Sequence, residues 1–391
     1  MRCVAILSAI LAVGTAVVSG ATTCTDDVKV TEPTPSIPCD VIAGDLIVSD
    51  KVAGSVSIEG PKKITGNFDV TNATKIVGIS STSVKEVNGK FILNGCTLLS
   101  TADFQALQSI ASINLVNLPQ LQTLNFGTSG VTKVSNVLIV DTFMGNLDGF
   151  NVADADTIDI SNNPKLNTFT SDLVTVTKSL KIVDNGKDMV IEMSKLESAG
   201  EIEFRRIKKA TFDSLKNASS IKINDSPDLL TVSALNVTTI DASVSLINNK
   251  KLSNCSFPQV KTIKGDMTIL NNTALVSMDC FPKLESVGNI LVGGSMQNVT
   301  LGKLTDVKGS ATVTSTTDIS DFCNFFDKLK SDGKIRGKES CKSNNKNANS
   351  GDSTGGDSAG GNKTKEDAAG VIGVNTAMLG LVGFAGIAQL L

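Results

Sequence analysis

The chain contains no His, no Trp and no Tyr in 391 residues. Without an imidazole there is no Ser-His-Asp triad, no Cys-His dyad and no His-ligated zinc site, because each needs that ring as base or ligand. Acid–base work would fall to carboxylates, Lys or thiols. Platforms for stacking sugars or bases would have to be built from 15 Phe. Neither sign of charge dominates, with 36 Lys+Arg against 39 Asp+Glu. The basic face that nucleic acid requires is therefore missing. Composition leans away from catalysis, and no cofactor or metal is expected.

Both ends read as addresses. Arg2 precedes an apolar run from Val4 to Val18 and small residues at Ser19, Gly20 and Ala21, the pattern of a secretory signal peptide over residues 1–20. At the other end an apolar run from Val371 to Leu391 follows a small-residue stretch, NSGDSTGGDSAGGNKTKED. Small residues, a short polar spacer and a terminal hydrophobic tail form the signal for a glycosylphosphatidylinositol (GPI) anchor, in which the tail (368–391) is removed. Asn362 fits the attachment position best, with Gly361, Gly360 and Ser358 as alternatives. The expected destination is the extracellular face of the plasma membrane, held by lipid in the outer leaflet, or the cell wall.

Sequons and cysteines agree with that compartment. Asn-x-Ser/Thr triplets occur at Asn72, Asn217, Asn224, Asn236, Asn254, Asn271, Asn298 and Asn362. Seven Cys remain after signal removal, and in an oxidising compartment most should pair. Closeness in sequence favours Cys24 with Cys39, Cys255 with Cys280 and Cys323 with Cys341. Cys96 is left over and reads as a small buried hydrophobe, since no Lys/Arg cluster lies near it to lower its pKa.

One short phrase recurs along the chain. Triplets with apolar first and third residues begin at 46, 68, 91, 113, 137, 158, 180, 202, 221, 244, 267, 290 and 311, at steps of 19 to 24 residues. Their period of two marks strands with one face inward. Gly44, Gly66 and Gly265 stand two places ahead of a triplet, where a sharp corner would want φ > 0. A turn and an inward Leu follow, at Leu166, Leu229, Leu252 and Leu275. Such a coil cannot bury its apolar face alone, but stacked copies pair in parallel and share a core. The expected fold is mainly β, a right-handed parallel β-solenoid over 22–342, related to leucine-rich repeats without their regular L-x-x-L-x-L core.

Open strand edges at the ends of a solenoid need caps. Ser320 is the expected N-cap of a short helix whose Phe322, Phe325, Phe326 and Leu329 fall on one face. Cys323 and Cys341 would staple this lid. The Cys24 to Cys39 loop would serve the other end. Residues 343–367 read as a Ser/Gly-rich disordered stalk.

In its order of parts the chain resembles the fungal GPI-anchored cell-wall-organisation proteins, the extracellular-mutant and sporulation-specific group. The residues that carry the likeness are the Cys-bearing start into Ile42-Ala-Gly-Asp-Leu-Ile-Val48, the repeated strands with "NNxxL" turns, the closing segment from Cys323 to Cys341, the Ser/Gly-rich tail and the anchor signal. That resemblance implies repeats similar to the receptor L-domain and a non-enzymatic surface glycoprotein needed for wall organisation and integrity. It supplies no catalytic residues. The chain departs from the group's pattern in lacking Trp, Tyr and His and in its additional Cys255 and Cys280.

Three functions compete. A surface scaffold or interaction protein, touching wall polysaccharide or wall proteins, is the main expectation. A carbohydrate-active enzyme would need two carboxylates about 5 to 10 Å apart, with Asp154, Asp156 and Asp159, or Glu201 and Glu203 near Arg205 and Arg206, as candidates. Those acids alternate with inward apolar residues, so solvated outward positions explain them. A receptor-like module binding a glycan or other ligand is the third, by fold analogy alone.

Overall fold

A computed structural model describes residues 21–349. The signal peptide, the tail and the attachment candidates Ser358, Gly360, Gly361 and Asn362 lie outside the described residues. Those residues divide into two compact units at Val176 and Thr177, and each is a parallel β-solenoid.

In the first unit the triplets stack in register. Leu46 pairs with Phe68 and Val48 with Val70, and Phe68 with Phe91 and Val70 with Leu93. The columns continue through Ile113 and Leu115, Val137 and Ile139, and Ile158 and Ile160. In the second unit Ile202 and Phe204 pair with Ile221 and Ile223, and the ladder runs on through Val244, Met267, Ile290 and Ala311. A one-residue slip would turn every apolar side chain to solvent, so burial of one face locks this register. Leu166, Leu229, Leu252 and Leu275 are all buried, each contributing about 1.5 to 3 kcal/mol of transfer free energy. Phe68 stacks on Phe91 with ring centroids 4.9 Å apart, and Phe104 meets both edge-on.

Most coils also carry a second short strand that the triplet pattern did not reveal. In the first unit Gly54–Ser57, Ile76–Ser80, Thr101–Asp103 and Thr123–Asn125 form a parallel sheet. In the second, Met189–Glu192, Ile207–Thr211, Thr231–Ser233 and Asn254–Ser256 do the same. These strands are mostly three to five residues long, too short to show an alternation. Two further copies hide at the ends. Val28–Val30 pairs with Leu46–Val48, and Glu339–Lys342 pairs with Ala311–Ser315.

The corners correct the expectation for glycine. Gly44, Gly66 and Gly265 do not have positive φ. They are small because coils touch there: a Cβ on Gly66 would lie 2.6 Å from the Gly44 carbonyl oxygen, and one on Gly265 2.6 Å from that of Ala242. The left-handed residue instead comes two places after the apolar triplet, at Asn72, Gly95, Asn117, Asp141 and Asn162 in the first unit. Asp184, Arg206, Asp225, Asn248 and Asn271 repeat it in the second. Asn and Asp tolerate this region because their short polar side chains bond locally.

The next residue points inward, and a buried polar ladder results. Asn249 donates Nδ2–H to the Ile223 carbonyl at 2.7 Å and accepts the Ser226 N–H at 3.0 Å. Asn272 repeats this toward Leu246 and the Asn249 N–H. In the first unit Asn163 accepts from Thr142 and donates to the Ile139 carbonyl. These amides satisfy backbone groups that the turn would otherwise leave unpaired in the core.

Candidate functional site

The second unit ends in a cap. Helix Ser320–Ser331 buries Phe322, Phe326 and Leu329, at i, i+4 and i+7, while Phe325 is only half-buried. Ser320 is not the N-cap: it is the first helical residue, and Ile319 holds the cap position without a side-chain bond. Asp318 does the capping work one residue earlier. Its Oδ1 accepts the Ser320 N–H at 3.0 Å, the Ser320 hydroxyl at 2.6 Å and the Ser343 hydroxyl at 2.9 Å. Hydrogen bonds from the Ser320 hydroxyl and N–H, then the Ser343 hydroxyl, hold its pKa below the usual aspartate value.

The fold does not stop at 342. Asn344 and Asn345 donate their N–H groups to the carbonyls of Thr317 and Ser315, Ala348 is buried, and Asn349 Nδ2 reaches Ser295 Oγ at 2.7 Å. Residues 343–349, assigned to the stalk by composition, are thus part of the cap. Small polar residues satisfy an edge without any hydrophobic signal.

Beside the helix lies an open groove of about 400 Å³, within the usual range for small-ligand sites. Val299, Leu301, Ile319 and Phe322 give it apolar walls, and Asn298 and Asp318 supply polar groups. Phe325 adds an accessible aromatic ring. Asn298 Nδ2 lies 3.3 Å from Ser277 Oγ, and the Thr300 hydroxyl donates to Asn298 Oδ1 at 3.4 Å.

Each cysteine candidate has a defined place. Cys24 and Cys39 are bonded across the first coil with Cα atoms 5.7 Å apart. Cys255 and Cys280 are bonded at 4.9 Å. Cys323 and Cys341 tie the cap helix to the last strand at 5.4 Å. Cys96 is free and fully buried, and burial pushes its thiol pKa up.

The sequons divide. Asn72, Asn217, Asn236, Asn254 and Asn298 are exposed. Asn224 and Asn271 are half-buried and take part in coil-to-coil ladders. Asn224 Oδ1 accepts from Ser245 Oγ and the Ile247 N–H, both at 3.0 Å. Asn271 Nδ2 donates to Asn248 Oδ1 at 3.0 Å. No motif separates the two groups, because every sequon reads alike.

The carboxylates of the enzymatic reading are not gathered in the groove. Glu201 is ion-paired with Lys222 on the following coil, and Asp159 accepts a hydrogen bond from Ser161. Arg205 lies 3.8 Å from Asp184 and 3.7 Å from Asp225. Arg206 is 3.9 Å from Asp184. Asp154 is exposed, and Asp156 and Glu203 are half-buried in their strands.

No protein-family model matches the chain. No solved structure matches it either. Three curated fungal proteins are similar along most of their length. Protein ecm33 of Aspergillus fumigatus is 30% identical over 306 residues, 78% of this chain and 76% of that protein. The cell surface GPI-anchored protein of Arthroderma benhamiae is 28% identical over 316 residues, 80% of each. The cell surface GPI-anchored protein ECM33 of Candida albicans is 26% identical over 303 residues, 76% of this chain and 72% of that one. With such identity across three-quarters of both chains, this chain belongs to the ecm33 family of fungal GPI-anchored cell-surface and cell-wall proteins.

Proposed function

We propose that the protein is a non-enzymatic, GPI-anchored scaffold of the fungal surface, needed for wall organisation and integrity. Its broad strand faces would meet extended partners, wall polysaccharide or wall proteins, as repeat arrays commonly do. One observation carries this reading: charged side chains are spent on joining coil to coil. Lys251 pairs with Asp228 at 2.7 Å, Lys216 with Glu197 at 2.8 Å and Lys264 with Asp241 at 2.6 Å. Exposed pairs like these are each worth about 0 to 1 kcal/mol, so they align neighbouring coils more than they stabilise them. Glu201, one of the acids of the enzymatic reading, is paired in the same manner.

Gene deletion followed by growth on wall-binding dyes and electron microscopy of the wall tests the proposal. Dye sensitivity and an altered wall are expected, with full rescue by a Glu201→Gln, Glu203→Gln chain. Hydrolysis or transglycosylation of β-glucan by the purified protein, lost in that double variant, would replace the scaffold with an enzyme.

A further inference from the structure

We propose that the groove beside the cap helix is a saccharide site, filled in the mature protein by the first sugars of an N-linked glycan carried on Asn298. The groove and the sequon are one structure. Asn298, Val299 and Thr300 all line it, and none of the other six sequons in the described residues borders it. Val299 is buried at 6% exposure, so it anchors the triplet while Asn298 and Thr300 remain exposed on either side.

The lining suits a neutral sugar. Phe322 and Phe325 lie with ring centroids 5.9 Å apart, and the half-buried Phe325 presents a ring on which the C–H face of a pyranose packs. Asp318 gives a fixed acceptor. Its three donors converge on Oδ1, and Oδ2 takes no hydrogen bond among the described residues, leaving it for a sugar hydroxyl or acetamido N–H. The sequence contains no Trp or Tyr, so a ring that meets the sugar here must be a Phe.

Covalent attachment selects the occupant. A sugar bonded to the groove's own wall has an effective concentration of about millimolar or more, which a free wall oligosaccharide must outcompete. Attachment joins Asn298 Nδ2 to the anomeric carbon of a lipid-diphosphate-linked oligosaccharide. The anomeric C–O bond breaks, the lipid diphosphate leaves with the electron pair, and the amide loses one proton. One N–H remains on Nδ2. The glycan then covers Phe325 and the first turn of the helix, and holds the cap against the coil that carries Asn298.

The test uses the full chain carried on the surface of a yeast host and released from its lipid anchor by phospholipase treatment. Mass spectrometry after enzymatic deglycosylation in heavy-oxygen water reads occupancy at Asn298, and hydrogen exchange reads protection over residues 319–326. Occupancy is expected, with exchange rising roughly tenfold in Thr300→Ala as the local opening free energy falls. Thr300→Ser keeps the sequon and should restore protection. Phe325→Ser should lose protection with the glycan still attached. An added N-acetylglucosamine disaccharide should partly restore protection in Thr300→Ala. An unoccupied Asn298, or equal exchange with and without its glycan, overturns the proposal. Protection of an unoccupied chain by soluble glucan would assign the groove to an external wall glycan, which also overturns it.

Discussion

The Cys96 thiol donates to the carbonyl oxygen of Val70, 3.4 Å away on the preceding coil. Asn249 bonds Ile223 and Asn272 bonds Leu246 across the same interval of 26 residues. The thiol also lies 3.6 Å from the Asn94 carbonyl two residues back, as Asn163 Nδ2 reaches the Ser161 carbonyl. Cys96 therefore stands at an asparagine position of a buried ladder, and its reduced state has a structural cause.

Replacing that thiol separates packing from hydrogen bonding. Cys96→Asn should be nearly neutral, while Cys96→Ala removes the donor to the Val70 carbonyl at a cost of about 2 kcal/mol. Urea unfolding midpoints read the order. The native thiol should also stay silent to a thiol-exchange reagent and react once denatured, because burial raises its pKa.

The inner and outer amides of one turn should differ sharply. Asn249→Leu strands the Ser226 N–H and the Ile223 carbonyl and should cost about 3 kcal/mol. Asn248→Gly, at the left-handed corner with φ 61°, keeps the corner but loses the exposed bond to Asp225 and the one from Asn271, and should cost only about 1 kcal/mol. Equal losses in urea unfolding would contradict the division of roles between these neighbours.

Close coil contact predicts intolerance at Gly66. Alanine there drives a Cβ against the Gly44 backbone, so coils must separate, and a loss of about 2 kcal/mol or more is expected. Gly54→Ala is the comparison, since a Cβ there meets nothing within 4 Å. Its positive φ alone should cost about 1 kcal/mol. Thermal midpoints distinguish steric contact from backbone strain.

The cap carries a pH signature. Burial, then the neighbouring Asp327 charge, raises the Glu339 pKa above the ordinary 4.5. A folded pKa above the unfolded value destabilises the fold once pH exceeds the folded pKa, and the penalty disappears below 4.5. Cap protection from hydrogen exchange should therefore rise as pH falls from 7 toward 4.5. Glu339→Gln should protect the cap at neutral pH and flatten the profile. Below 3.8 the sign reverses as Asp318, whose pKa is lowered, takes up a proton.

Legibility followed the strength of each pattern. The triplets at Phe68, Phe91 and Ile113 announce their own register because alternation and interval repeat together. The coils at Val28 and Glu339 stayed hidden: one has a single short triplet, and the other reads Glu-Ser-Cys-Lys, with no aliphatic or aromatic residue. The groove had no signature at all. It depends on Phe325 and Asn298, 27 residues apart, lining the same cleft beside the cap helix.

The amino-acid sequence by itself determined the parallel coil and the inward face of its strands, since apolar residues at period two and near-constant spacing admit one economical burial. It also determined the addresses at the two ends as expectations. Only tertiary structure decided which small residues turn the chain and which let coils touch. Gly66 and Gly95 look alike in sequence, yet Gly66 lacks positive φ and Gly95 has it. It decided too that Asn248 faces out, Asn249 in, and that Cys96 completes a ladder of amides. Those roles rest on atoms one coil away, where distance and desolvation act rather than neighbours in the chain.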